Sequence, residues 1–291
     1  MKKGYLITNA FLKGETFSAV NNLYLDEAKR QGLELSLIPN ADIPVAIENG
    51  TISTNLNADF AIFLDKDITL ATALEKGGIR LYNRAESIRV CDDKSLTHLA
   101  LSGHNIPMPK TIIAPKTFEN IGFTDLSFLQ KSAEIIGFPV IVKECFGSFG
   151  MQVYMANNLA ELEQIVAKIS PRPFIMQEFI KSSKGRDVRL NVVGGKVVAS
   201  MLRTSKTDFR ANHTIGGEVA PYTPTDEQID LAIRCCDILS LDFAGVDILF
   251  GEGDMPILCE INSNAHILGI LKSTGVNVAE HIIRYIIEDK N

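Results

Sequence analysis

No run of apolar residues in this sequence reaches the about eighteen that a membrane-spanning helix needs, so no helical membrane anchor is expected. The opening MKKGYLITNAFLKGE has two adjacent lysines but only a short strand-like apolar run and no small-residue cleavage site. A cytoplasmic chain that starts on a β-strand is the expectation. Positive charge is also scarce: 29 Lys and Arg against 35 Asp and Glu leave a formal net charge of −6. That disfavours a nucleic-acid surface, because phosphate contact needs a basic face. The five cysteines, Cys91, Cys145, Cys235, Cys236 and Cys259, form no C-x-x-C, and an odd number cannot complete a disulfide framework. They read as reduced, mostly buried thiols.

Several catalytic signatures are missing too. Neither a Walker A sequence nor G-x-G-x-x-G occurs, so the standard P-loop and dinucleotide fingerprints have no support. No G-x-S-x-G appears and the five histidines show no metal-ligand spacing, which leaves hydrolytic triads and histidine metal clusters without a basis. His98 and His281 fall in helical segments and read as packing or surface residues. No internal repeat and no low-complexity tail is present.

What is present is a regular alternation of strand and helix signals. At 291 residues with 46% hydrophobic content, the chain can fill two or three small cores. GYLITN, ADFAIFLD and IRLYN alternate with the amphipathic FSAVNNLYLDEAKRQG and with ITLATALEKGG, the pattern of βαβ units on a parallel sheet over residues 1–90. RAESIRVCDDKSLTHLALSGHN is helical by period and is stopped by IPMP. FPVIVKE, MQVYMA and PFIMQEFI then alternate with two helices in a compact α+β unit, 91–180. Residues 181–291 turn to strands, with Gly194-Gly195 as a two-residue hairpin turn. A helix over 224–240 is expected, capped by Thr223 and Asp226 with Pro224 at its first position, and NVAEHIIRYIIE closes the chain as a helix.

The segment GVDILFGEGDMPILCEINSN puts polar residues inside two apolar strands. If Gly253-Asp254 is a two-residue turn, Asp247 lies opposite Glu260 and Gly245 opposite Asn262. Alternation then gives Val246, Ile248, Phe250, Ile257, Cys259 and Ile261 one apolar face, and Asp247, Leu249, Leu258, Glu260 and Asn262 the other. Facing carboxylates repel unless a proton or cation lies between them, and a hard cation takes oxygen ligands from such a set. The same residues also suit a simple wet face. Lys143, at the end of an apolar strand, precedes a loop with Gly147, Ser148 and Gly150, where backbone N–H groups can approach a phosphate. Gln177 and Glu178 sit inside the strand PFIMQEFI, and Asp187 follows a polar loop.

In chain order, DDKSLTHLALSGHNIPMPKT, FPVIVKECFGSFG, MQEFI, GRDVRLNVVGGKVVA, DFRANHTIGG, FAGVDILF and CEINSN closely resemble the ATP-grasp ligases of the RimK type. The resemblance implies an α/β and α+β architecture: a Rossmann-like N-terminal domain (the pre-ATP-grasp domain), a central lid and a C-terminal antiparallel-sheet domain. It implies that Lys94 and Lys143 contact ATP phosphates beneath the loop of Gly147, Ser148 and Gly150. Gln177, Glu178, Phe179 and Ile180 would hold adenine, Asp187 the ribose, and Arg210 and Asn212 the phosphate end, with Lys143 and Arg210 stabilising the transferring phosphoryl group. Asp247, Glu260 and Asn262 would bind Mg²⁺, as two ions for which Mn²⁺ can substitute. The implied activity is ADP-forming ligation of an amino acid, such as glutamate, to a carboxylate of a small molecule, peptide or protein terminus, in a homo-oligomer, dimer or tetramer.

Arg189 and Arg203 are candidates for gripping substrate carboxylates, and His213, Asn264 and His266 for touching substrate. Three departures from the family pattern stand out: Ile215 where an arginine is usual, Gln152 in place of a glycine, and Asn264-Ala265 after Ser263 in place of the familiar proline. All but Gln152 fall on the acceptor side. An ATP-grasp kinase that stops after phosphoryl transfer, and a nucleotide-binding module without catalysis, are the two other readings open at this stage.

Overall fold

The computed structural model describes residues 3–147, 150–211 and 217–289. Strands β1 (Lys3–Thr8) and β2 (Glu34–Pro39) flank helix α1 (Glu15–Gln31), and β3 (Val45–Glu48) pairs only with β4 (Thr51–Thr54). Then come β5 (Phe60–Leu64), α2 (Ile68–Lys76) and β6 (Arg80–Tyr82). β1, β2, β5 and β6 form the expected parallel sheet, in the order β2-β1-β5-β6. The small β3–β4 hairpin was not expected, although Asn49-Gly50 announces it: both residues have positive φ, 50° and 77°, which a tight turn of this kind demands.

The long helix expected after β6 is two helices, α3 (Ala85–Asp92) and α4 (Lys94–Leu101). Asp93 breaks it: its backbone is extended and its carboxylate accepts from the amides of Ser95 and Leu96, restarting the helix one residue later. That restart sets Lys94 in the first turn, where its own amide donates to the Cys145 carbonyl at the start of the glycine loop.

The central antiparallel sheet joins β7 (Thr111–Ile113), β8 (Val140–Glu144), β9 (Val153–Ala156) and β10 (Phe174–Glu178) in the order β7-β10-β8-β9. Helices α5 (Ser127–Ile136) and α6 (Leu159–Ile169) cover one face, packing Leu129, Leu162 and Val166 on Val140, Val142, Phe174 and Met176. Because strand side chains alternate, the other face carries Ile141, Lys143, Ile175 and Gln177. No helix covers the whole of that face.

The third sheet is antiparallel, β13-β12-β11-β14-β15, from β11 (Arg186–Val193), β12 (Lys196–Thr204), β13 (Glu218–Pro221), β14 (Phe243–Phe250) and β15 (Pro256–Asn262). Helix α7 (Asp226–Ile238) packs on the side bearing Val188, Leu190, Val192, Val246 and Ile248, together with Cys91, Leu101 and Ile106. Asp187, Arg189, Asn191 and Asp247 therefore point to the opposite face. Helices α8 (Leu268–Thr274) and α9 (Val278–Glu288) follow, and α9 packs Ile282, Ile283 and Ile286 against Leu6 and Phe60 of the first sheet. The Gly194-Gly195 turn is as expected, with φ of 54° and 71°. The cap of α7 is not: Thr225 and Gln228 form the capping box, two residues beyond the expected Thr223 and Asp226. Among the described residues, no helix is long and apolar enough to cross a membrane.

The β14–β15 hairpin corrects the sequence reading in detail. Its connection is Gly251 to Met255, five residues and not two, so Phe250 pairs with Pro256 and Ile248 with Leu258. A β-bulge at Cys259 then shifts the register by one and restores Asp247 opposite Glu260 and Gly245 opposite Asn262. The expected faces are exchanged below the bulge: Leu258 is buried in the core, Ile257 pairs with Leu249, and Cys259 turns to the cleft.

Candidate active site

The uncovered faces of the central and C-terminal sheets enclose a cleft. Ile141 from the central sheet and Leu249 from the other supply apolar jaws, with Phe179 and Phe209 meeting edge to face at one end, 6.4 Å between centroids. Lys94, Lys143, Gln177, Glu178, Ile180, Asp187, Arg203, Arg210, Asp247 and Glu260 all line it, as do Gly147 and Gly150. The structure thus brings together every described residue expected to hold the nucleotide. Ser148, Asn212, His213 and Ile215 lie outside the described residues.

Within the cleft, Gln177 is fixed from behind. Its amide nitrogen donates to Thr111 Oγ1 at 2.8 Å and meets His98 Nε2 at 3.0 Å. An amide N–H needs an acceptor, so His98 is neutral at Nε2. Burial, reinforced by nearby Lys143, pushes the His98 imidazole down to about 4. The Glu178 carboxylate accepts from the Lys110 amide at 2.7 Å, anchoring this strand end. Lys143 is buried, and among the described residues its ammonium has the Cys259 carbonyl at 3.5 Å and thiol at 3.7 Å beside it. Burial pushes the Cys259 thiol up, so it is a neutral wall.

Across the C-terminal sheet, charges alternate in a ladder. Arg203 Nε donates to Asp187 at 2.5 Å and its terminal nitrogen reaches Asp247 at 2.9 Å. Arg189, directly opposite Asp247 in register, grips it with both arms, at 2.6 and 2.7 Å. Burial opposes ionisation of Asp247, yet Arg189 and Arg203 hold its carboxyl below the ordinary carboxylate range. Burial pushes the Asp187 carboxyl up, against the pull of Arg203. Burial also disfavours the Arg203 charge, but Asp247 and Asp187 overcome it and hold the guanidinium charged. Glu260 comes next, with the Lys94 ammonium at 3.3 Å.

Arg210, expected at the phosphates, makes a different set of contacts here. Both arms hold Asp208, at 3.0 and 2.8 Å, and a third nitrogen donates to the carbonyls of Gly150 at 2.7 Å and Val153 at 3.2 Å. It ties the far end of the glycine loop to the segment after β12. Gln152, the residue in place of a glycine, lines the cleft.

A second, larger cleft opens beside the first. Arg189, Asn262, Asn264, His266 and Lys272 border it from the C-terminal side, and Thr16, Phe17, Lys66 and Asp92 from the N-terminal side. Burial, then Arg189, lowers the His266 imidazole, whose ring meets Phe17 edge to face at 5.6 Å. Gly147, Arg203 and Glu260 line both clefts, so the two meet at that wall. Sequence reasoning missed Phe17, Lys66, Asp208 and Lys272. Only Asp208, two residues before Arg210 and able to pair with it, left a local signal.

Asp247, Glu260 and Asn262 suit a hard cation by chemistry. All offer oxygen, and the three arginine contacts on Asp247 leave one of roughly four acceptor positions of a carboxylate open. Asn262 borders the larger cleft, and its amide nitrogen is buried without a partner among the described residues. The set is two carboxylates and an amide. Accordingly, among the described residues, no group of three or more His, Cys, Asp or Glu is arranged for a metal.

Residues 91–286 match the model of the RimK-like ATP-grasp domain. The chain is 38% identical over 224 residues to N-acetylaspartylglutamate synthase A of Homo sapiens, covering 76% of this chain and 56% of that protein. To beta-citrylglutamate synthase B of Danio rerio it is 36% identical over 227 residues, covering 77% and 54% respectively. The chain spans little more than half the length of these two curated relatives. Among solved structures, the RimK domain ATP-grasp protein of Sphaerobacter thermophilus DSM 20745 is similar in fold, with a TM-score of 0.73 at 22% identity over 97% of this chain and 98% of that one. With the domain model matching most of its length and the two sheets enclosing the expected residues, the chain belongs to the RimK-like ATP-grasp family.

Proposed function

We propose that the protein is an ATP- and Mg²⁺-dependent ligase that joins the amino group of an amino acid to a carboxylate through an acylphosphate. The observation that carries this is the meeting of two clefts at Arg203 and Glu260: one lined by Lys94 and Lys143 together with the residues expected to hold the nucleotide, and a larger one bordered by Lys66, Arg189 and Lys272. A phosphoryl group at the end of the first is within the same wall as an acid in the second. Two relatives are named as synthases of glutamate conjugates, N-acetylaspartylglutamate and beta-citrylglutamate. Glutamate is therefore our first choice of amine, and a small carboxylic acid or peptide terminus our choice of acceptor.

In this reading the acid's carboxylate oxygen attacks the γ-phosphorus and ADP leaves. The amine then attacks the acyl carbon, phosphate leaves, and the amine loses a proton to solvent as the amide forms. Lys94 and Lys143 offset the negative charge that spreads over the phosphoryl oxygens, in a buried setting where each charge counts for more than in water. Asp247, Glu260 and Asn262 would hold Mg²⁺, which when bound would neutralise phosphate charge. Arg210 fixes the Gly150 and Val153 carbonyls at the wall of the cleft where the acylphosphate would form. The neutral thiols, four of them buried, accord with a reducing, cytoplasmic setting.

The test is phosphate release. It should require ATP, an acid and an amine together, and Glu260→Ala should lower it by about two to three orders of magnitude with little change in stability. A phosphorylated acid that accumulates as final product, indifferent to any amine, would show a kinase instead. Unchanged turnover in Glu260→Ala would refute the metal assignment.

A further inference from the structure

Arg189 and Arg203 hold the same carboxylate on unequal terms. Arg203 is locked between two acids, Asp187 and Asp247, and its side chain is 5% exposed. Arg189 has Asp247 as its acidic partner, is 13% exposed, and borders the larger cleft. Its planar fork is already set on a carboxylate with two short parallel bonds, the geometry with which it would take a carboxylate from a substrate. Asp247 in turn has most of its acceptor capacity occupied while Arg189 is there.

We propose that Arg189 is a counter-ion switch: it rests on Asp247, and swaps to a substrate carboxylate in the larger cleft when Asp247 is needed as a metal ligand. The inference rests on the proposed metal and ligase reading of the site. It goes beyond that reading by coupling the two clefts. With Arg189 in place Asp247 has one acceptor position open; as Arg189 leaves, two more are freed, and Arg189 leaves most readily when another carboxylate receives it. Metal-nucleotide loading and capture of a carboxylate-bearing substrate, the amino acid glutamate included, therefore favour each other, by the same factor in both directions.

The experiment is Mn²⁺ binding in the presence of ADP, followed on the full chain by the loss of the free-ion electron paramagnetic resonance signal. It needs no turnover. Wild type is compared with Arg189→Ala and with Arg189→Lys, which keeps the charge and loses the fork, and each variant's cooperative melt confirms its fold. Without glutamate, both variants should bind Mn²⁺ about tenfold more tightly than wild type, within the usual span of coupling between sites, because the competing fork is gone. Saturating L-glutamate should tighten Mn²⁺ binding several-fold in wild type and in neither variant. Tightening in Arg189→Ala alone would reduce the effect to charge repulsion and overturn the switch, as would no tightening in either. Lack of a glutamate effect in wild type overturns the coupling between clefts. Absence of Mn²⁺ binding in all three proteins instead overturns the metal reading beneath it.

Discussion

Replacing Asn83 should cost more than its side chain's size suggests, because this one amide staples the first sheet to the sheet that carries the candidate metal ligands. It is 1% exposed. Its nitrogen donates to the carbonyls of Phe243 at 2.9 Å and Ser263 at 2.8 Å, and its oxygen accepts from the amides of Asp242 at 2.7 Å and Phe243 at 3.3 Å. Asn83→Ala leaves these buried backbone groups without their partner. At about 1 kcal/mol for each of three or four bonds, the loss is about 3 to 4 kcal/mol, and for a chain of this size the melting temperature falls by roughly 5 to 7 °C. Asn83→Asp keeps the acceptor but sets a carboxylate against two carbonyls, so it should be at least as damaging. Because Ser263 follows Asn262, both variants should also weaken Mn²⁺–ADP binding. Urea unfolding without nucleotide reads the stability directly. If both variants unfold within about 1 kcal/mol of wild type, less than one such bond, the staple does not bear the load assigned to it.

Two further perturbations probe the walls of the clefts. His98 titrates far below its ordinary value because of burial and Lys143, so the unfolded chain takes up this proton first. Its contribution to stability is complete above about pH 6.5 and is lost as pH falls toward 4, a loss on the order of 3 kcal/mol. Urea midpoints of wild type and His98→Asn measured from pH 7 to 4.5 should therefore converge, and parallel lines would refute the assignment. At Gly245, a β-carbon would lie 2.5 Å from that of Ala265, so Gly245→Ala should push away the turn after Asn262 and destabilise by about 1 to 3 kcal/mol. The double variant with Ala265→Gly should recover most of that loss in a thermal melt, and a double variant no better than the single one would exclude this clash as the cause.

The pairing of Asp247 with Glu260 was legible although the turn inferred for it is wrong. A five-residue connection moves the strands out of register by one, and the bulge at Cys259 moves them back. Alternation is so constraining that acids in an otherwise apolar strand must share the face away from the core, and a bulge is the local way to keep them there. What alternation did not expose was the price at Leu258 and Cys259, which change places. The ladder of charges was less accessible still. Arg189 meets Asp247 only because β11 lies between β12 and β14, a strand order that no short-range pattern announces. Without it, two arginines read equally well as surface ion pairs or as substrate ligands, and neither reading anticipates that they hold Asp247 together. Phe17 and Lys66 reach the larger cleft from elements far earlier in the chain. Nothing in their own neighbourhoods marks them. The residues readable from sequence are thus those whose chemistry conflicts with their local periodicity, as Asp247, Glu260 and Asn262 do. Residues consistent with an ordinary helix or loop become functional only through what the fold places opposite them.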